Sequence, residues 1–290
     1  MPRRLTRGAF LTAAALLLAL PAPARPASAQ KPSGSEAQAG AQKPSGSGAQ
    51  TGAQDTEQAK AALHEMSAAL TSARSLQFKV RSLIPMQVKG GDWVTLLGAA
   101  TVTREGNDKL SVETGGDLFP FKLLYDGKTV TAFAPDKKIY AQQDAPGTID
   151  AMLEQAAKRG QAAFVFADLV SADPYASMTR GLKSARVVGT STVDGVETRH
   201  LAVHGQKLDW EVWIATSDRL PRLVTLTDIA EARKPTQTVQ LSDWKVDPSL
   251  PADAFSFNAP ADAMKVPFQS PEQRREMAAA RRGPQPASGR

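Results

Sequence analysis

Leu208-Asp209-Trp210-Glu211-Val212-Trp213-Ile214 is the stretch on which the fold is decided. Leu208, Trp210, Val212 and Ile214 alternate with Asp209, Glu211 and Trp213, the period of a strand with one buried face. The same period recurs in both directions along the chain. Leu76, Phe78 and Val80 alternate with Gln77, Lys79 and Arg81, and Val94, Leu96, Ala100 and Val102 form one face of a second strand. Phe119, Phe121, Leu123 and Tyr125 form another, closing at the Asp126-Gly127 turn signal. Residues 130–133 and 139–141 flank a turn at Pro135-Asp136-Lys137. Strands are expected again at 185–192, at 196–204 after Asp194-Gly195, at 223–228 after Ser217-Asp218 and Pro221, at 236–244, and briefly at Phe255-Ser256-Phe257. About ten or eleven strands joined by short turns make an antiparallel meander.

Helical periodicity frames and interrupts that meander. Asp55 or Thr56 is placed to cap a helix in which Ala59, Leu63, Met66 and Leu70 recur at steps of three and four up to Ala73. Residues 148–159 place Ile149, Met152, Leu153 and Ala156 on one face, with Gly160 as a stop. A weaker helical stretch at 162–169 precedes Asp173-Pro174, read as a chain break. The class is therefore α+β.

The ends differ from the middle. Of the 290 residues, 1–29 hold four Arg and no acid, and 266–290 hold five Arg against two Glu, so the net charge of +6 resides in the flanks. Residues 55–265 carry 24 bases against 26 acids, which gives no support to a nucleic-acid partner. Arg3, Arg4 and Arg7 precede an apolar run at 10–20, Pro21, and the small residues Ala27-Ser28-Ala29. This is the pattern of a signal peptide at 1–29, cleaved after Ala29, and the run is too short for a transmembrane anchor. A twelve-residue unit beginning Gln30-Lys31-Pro32-Ser33-Gly34 returns at Gln42, and it has nothing large to bury. Residues 30–54 are thus expected to be a disordered spacer. The domain is expected at 55–266, followed by a basic tail at 267–290 in which Ser270-Pro271-Glu272 can start a short helix. The expected location is the periplasm, and the chain has no Cys for a disulfide, a thiol nucleophile or lipid attachment.

Asp126-Gly127-Lys128-Thr129-Val130 and Pro135-Asp136-Lys137-Lys138-Ile139-Tyr140 resemble the paired hairpins of the periplasmic lipoprotein-carrier (LolA/LppX-like) superfamily. Trp210-Glu211-Val212-Trp213-Ile214 running to Leu220-Pro221-Arg222 is similar to its late strand. Leu241-Ser242-Asp243-Trp244, with Leu250-Pro251-Ala252-Asp253-Ala254-Phe255-Ser256-Phe257, is similar to its closure. Within that superfamily the chain most resembles a branch of periplasmic proteins of unknown function, over roughly residues 57–266. The resemblance implies a half-open antiparallel β-barrel with helices covering the concave face, a lipid or acyl chain held between them, and no catalytic residues. Some fold-mates act instead as envelope signalling modules through a protein partner.

The residues themselves offer little chemistry. His64-Glu65-Met66-Ser67-Ala68 begins like a zinc-protease helix but has Ala68 where the second His is needed. His200 and His204 lie on a strand, where a four-residue spacing spans about 13 Å, too far for one metal ion. Asp209 and Glu211 are spaced for paired-carboxylate hydrolysis but belong to the wet face of their strand. No nucleophile elbow or phosphate loop occurs, so no catalytic residue, metal or cofactor is expected, and a hydrolase with an unrecognised site is the least favoured reading. Trp210 and Trp213 point to opposite faces and cannot form one sugar platform. The expected function is that of an exported protein binding a hydrophobic small molecule or lipid, with an envelope-protein interaction module as the alternative. The candidate cavity lining is the apolar inner face: Phe78, Val80, Leu96, Val102, Phe121, Leu123, Leu201, Val203, Trp210, Val212, Ile214, Val239 and Leu241.

Overall fold

A computed structural model of the chain describes residues 47–268, apart from Lys89, Phe119, Pro146, residues 159–163 and Val165. The expected signal peptide, the spacer as far as residue 46, Phe119, the Gly160 stop and the tail beyond 268 lie outside the described residues.

Strands β1 (Ser75–Gln87), β2 (Trp93–Glu105), β3 (Lys109–Gly116), β4 (Lys122–Tyr125), β5 (Thr129–Ala134) and β6 (Ile139–Asp144) form one up-and-down meander. A second comprises β7 (Ser184–Val193), β8 (Val196–His204), β9 (Leu208–Ala215), β10 (Pro221–Asp228) and β11 (Thr236–Val246). Antiparallel pairing of β1 with β11 joins the two into one sheet, ordered β12-β6-β5-β4-β3-β2-β1-β11-β10-β9-β8-β7, where β12 (Met264–Lys265) lies parallel to β6. Its edges stay apart, so the sheet is open.

Helix α1 (Ser47–Ser72) precedes the sheet, and α2 (Ile149–Lys158), a 3-10 turn (Ala167–Val170) and α3 (Pro174–Thr179) connect the meanders. Ala59, Leu63, Met66 and Leu70 of α1 share one core with Tyr125 and Val130 of the first meander and Ala185 and Leu201 of the second. One helix reaches both halves only because the sheet curls around it. The result is a half-open, antiparallel barrel with helices on its concave side.

Several expectations need correction. Helix α1 begins at Ser47, so the last eight residues of the expected spacer extend it backwards beyond Asp55. Adding turns to an existing helix needs no new nucleus, and Ala and Gln are good helix formers. Asp173-Pro174 does not break the chain but starts α3: Asp173 Oδ1 accepts from Ala176 N at 2.9 Å, and Pro174 takes the first helical position. Phe255-Ser256-Phe257 is not a strand. Ala254 N donates to Pro251 O and Ser256 N to Asp253 O, and these turns leave Phe257 against Phe133 and Tyr140. Strand β3 is an addition, with Leu110 and Val112 buried on its inner face before polar Thr114 and Gly115-Gly116 end the pattern. The sheet therefore has twelve strands.

Candidate functional site: a hollow beneath the helical connection

The inner faces of β9, β10 and β11 meet in rungs. Trp210 pairs with Leu226 and Leu226 with Gln237; one step further in, Val212 pairs with Val224 and Val224 with Val239. Opposite them runs the connection through Phe164, Phe166 and Leu169 into α3. That connection rests on α1 as well as on the sheet. Tyr175 N donates to Ser67 Oγ at 3.1 Å, and the Tyr175 ring meets His64 edge-on at 5.4 Å. Supported there, it roofs a cavity of about 420 Å³.

The floor of this cavity is Leu208, Trp210, Val224, Leu226, Gln237, Val239 and Leu241, and the roof includes Phe164, Phe166, Leu169 and Met178. Phe166 stacks on Phe164 at 5.1 Å and meets Phe78 edge-on at 6.1 Å, and Phe78 stacks on Trp244 at 4.3 Å. These rings tie the roof to the packed core. The rim is polar: Arg180 and Gly181 end α3, Gly205-Gln206-Lys207 turn from β8 to β9, and Asp168 lies nearby. Gly205 is required at this turn, because a Cβ there would lie 2.4 Å from Leu208 O. Its own N–H donates to Asp209 Oδ1.

One residue of the floor departs from the apolar pattern. Gln237 is 2% exposed, and its Nε2 has no hydrogen-bond partner among the described residues. It continues the inward parity of Val239 and Leu241 by one step, toward the rim.

Of the sequence-derived lining, Trp210, Val239 and Leu241 face the hollow. Phe78, Val80, Val102, Leu201, Val203, Val212 and Ile214 belong to the close-packed core around α1, and Leu123 packs against its margin. Phe121 is buried elsewhere, against Phe164, and Leu96 is half-buried on β2; neither lines the hollow. Val224 and Leu226 of the floor, and Phe164, Phe166, Leu169 and Met178 of the roof, were missed. Hydrophobicity runs through Leu223, Val224 and Leu226 without clean alternation, and a roof made by a connecting segment leaves no strand period to read.

The polar residues weighed for chemistry have local partners. His204 Nδ1 lies 3.1 Å from Asp209 Oδ2. His200 stacks on Trp213 at 4.0 Å, and Glu211 accepts from Thr225 Oγ1 at 3.0 Å. Among the described residues no three His, Asp or Glu side chains gather to hold a metal, and no helix is long and apolar enough to cross a membrane.

A family model described as "Predicted periplasmic protein (DUF2092)" matches residues 59–269. The chain belongs to that family. No curated protein matches the sequence. Among solved structures this DUF2092 chain is similar to a LolA superfamily protein from Nitrosomonas europaea, at 14% identity and a TM-score of 0.34, covering 69% of this chain and 97% of that one. It is similar to lipoprotein LppX of Mycobacterium tuberculosis, at 14% identity and 0.37, covering 67% and 98%. It is also similar to the Pseudomonas aeruginosa MucA/MucB complex, at 15% identity and 0.37, covering 72% and 63%.

Proposed function

We propose that this DUF2092 protein is exported to the periplasm, loses residues 1–29, and binds a hydrophobic ligand, a lipid or an acyl chain, under the helical connection. The observation that carries this reading is the hollow. Protein interiors close to crystal-like density, whereas about 420 Å³ stands open here against a mostly apolar lining. That volume lies in the range of small-molecule sites, which are apolar with a few placed polar groups. The same residues offer no arrangement for bond making, so binding without chemistry is the function they support.

A second reading rests on a different surface. Leu83 and Leu97 pair across β1 and β2 and are 49% and 40% exposed, with Val88 and Val94 exposed at the same hairpin end. This apolar tip favours contact with an envelope protein partner.

Titration of the mature protein with a fluorescent fatty acid tests the first reading. Saturable uptake of one probe per chain, with acyl chains recovered by solvent extraction and mass spectrometry, is the expected result. An absence of saturable uptake together with an empty extract overturns it and leaves the hairpin tip as the functional surface.

A further inference from the structure

The cavity has a polarity along its length. Its rim carries two exposed cationic side chains, Arg180 and Lys207, neither ion-paired among the described residues, beside the carboxylate of Asp168. One rung inside the rim, in the row Trp210–Leu226–Gln237, stands the single amide of the floor. Beyond it the floor is Val224, Val239 and Leu241, and the roof above includes Phe166, whose ring meets Phe78 of the packed core edge-on. From Gln237 to Leu241 that apolar floor extends about 13 Å at the rise of a strand.

A buried amide nitrogen without a partner is costly, since it has given up water and gained nothing. Nearly all buried donors in folded proteins are satisfied, and an exception at a cavity wall marks a place where something else supplies the acceptor. A purely hydrocarbon ligand would leave Nε2 as it is. A ligand carrying a carbonyl oxygen at the head of its chain would satisfy it and would place the adjoining charge at the rim.

Resting on the reading of the hollow as a ligand site, we infer that the ligand is a single-chain acyl amphipath. Its carbonyl oxygen accepts a hydrogen bond from Gln237 Nε2. Its anionic head lies at the rim beside Arg180 and Lys207, and its chain runs inward over Val239 and Leu241. The shared chemistry is an acyl carbonyl next to negative charge, which a free fatty acid and a monoacyl glycerophosphate both provide.

Three probes of equal chain length separate the possibilities on the mature, full-length protein: a pyrene-tagged fatty acid, its glycerophosphate monoester and the matching pyrene-tagged alkane. In the wild type both acyl probes are expected to bind at least tenfold more tightly than the alkane, and the tighter of the two names the source. Gln237→Met keeps the shape of the side chain and removes its donor. It should weaken the acyl probes roughly tenfold, the worth of one buried hydrogen bond, and leave the alkane unchanged or tighter. The double variant Arg180→Gln/Lys207→Gln should weaken the acyl probes and flatten their salt dependence. If acid and alkane bind the wild type equally, or Gln237→Met lowers both alike, the amide is only a wall residue and the inference fails while the binding site stands. If no probe binds the wild type, the binding-site reading itself fails.

Discussion

Arg104 is 4% exposed in the middle of a protein whose other charges lie mostly at its surface. Its Nη2 donates to Leu70 O and to Ala73 O, each at 2.9 Å, two carbonyls at the C-terminal end of α1 that have no partner within the helix. Burial pushes the guanidinium below its ordinary pKa, with Asp247 acting in the opposite sense; arginine stays protonated, so the cation lies at the negative end of the α1 dipole. Arg104→Met should cost about 2–3 kcal/mol, the worth of hydrogen bonds to a charged donor, seen as a lower urea midpoint at unchanged slope. A midpoint within error of wild type would mean that water caps α1 equally well. Nothing in the sequence singles this residue out. An arginine in a strand reads as wet-face charge, and the carbonyls it meets are more than thirty residues away. Gln237 was hidden differently: its parity with Val239 and Leu241 was visible, but a polar side chain on an apolar face is not selected by a search for hydrophobic alternation.

At the scale of the element, β11 shows how a strand changes face. Val239 and Leu241 point inward, yet Trp244, three residues on, also reaches the core and stacks on Phe78. An extra residue in β11 makes this possible: Lys79 pairs with Ser242, but Gln77 pairs with Lys245. The bulge is built at Asp243, whose φ of 52° is left-handed. Asp243→Val should cost about 1–3 kcal/mol, since a β-branched residue resists that conformation, whereas Asp243→Gly should be well tolerated. Equal loss in both variants, measured by thermal melting, would assign the effect to the side chain rather than to the backbone. That side chain has its own role in Lys79 Nζ–Asp243 Oδ2, 2.7 Å long. The hydrogen bond from Lys79 holds the Asp243 carboxyl below the ordinary carboxylate range, so this link is present above the usual carboxylate pKa and is lost as the pH falls through the lowered value. Turns were legible wherever their chemistry is local. Asp194-Gly195 has positive φ at both positions, and Asp126 Oδ1 accepts from Lys128 N and Thr129 N. The signal that starts α3 is just as local, Asp173 capping Ala176 N with Pro174 in the first helical position, but an Asp-Pro pair serves a chain break and a helix start alike.

For the whole molecule, alternation tells which side of a strand faces inward but not whether the inside is full. Val212 and Leu226 illustrate the difference. Both are apolar and inward, on neighbouring strands, and Val212 was the natural choice for a cavity wall that a larger side chain would fill. In the folded chain Val212 is fully buried in the packed core, while Leu226 is half-buried beside the hollow. What separates them is which side chains lie under the open part of the helical connection: Val224 and Val239, in the same rung as Val212, lie on the floor of the hollow while Val212 does not, and no strand period records that. Enlargement should therefore have opposite consequences at the two sites. Val212→Phe adds volume where none is free and should cost about 1–3 kcal/mol in overpacking, with probe affinity little changed in the molecules that stay folded. Leu226→Trp places its ring in the open volume and should hold the thermal midpoint within a degree or two, while fatty-acid uptake falls at least tenfold. If Leu226→Trp unfolds the protein and Val212→Phe blocks uptake, the ligand chamber lies on the α1 side of the sheet and the hollow under the connection is incidental.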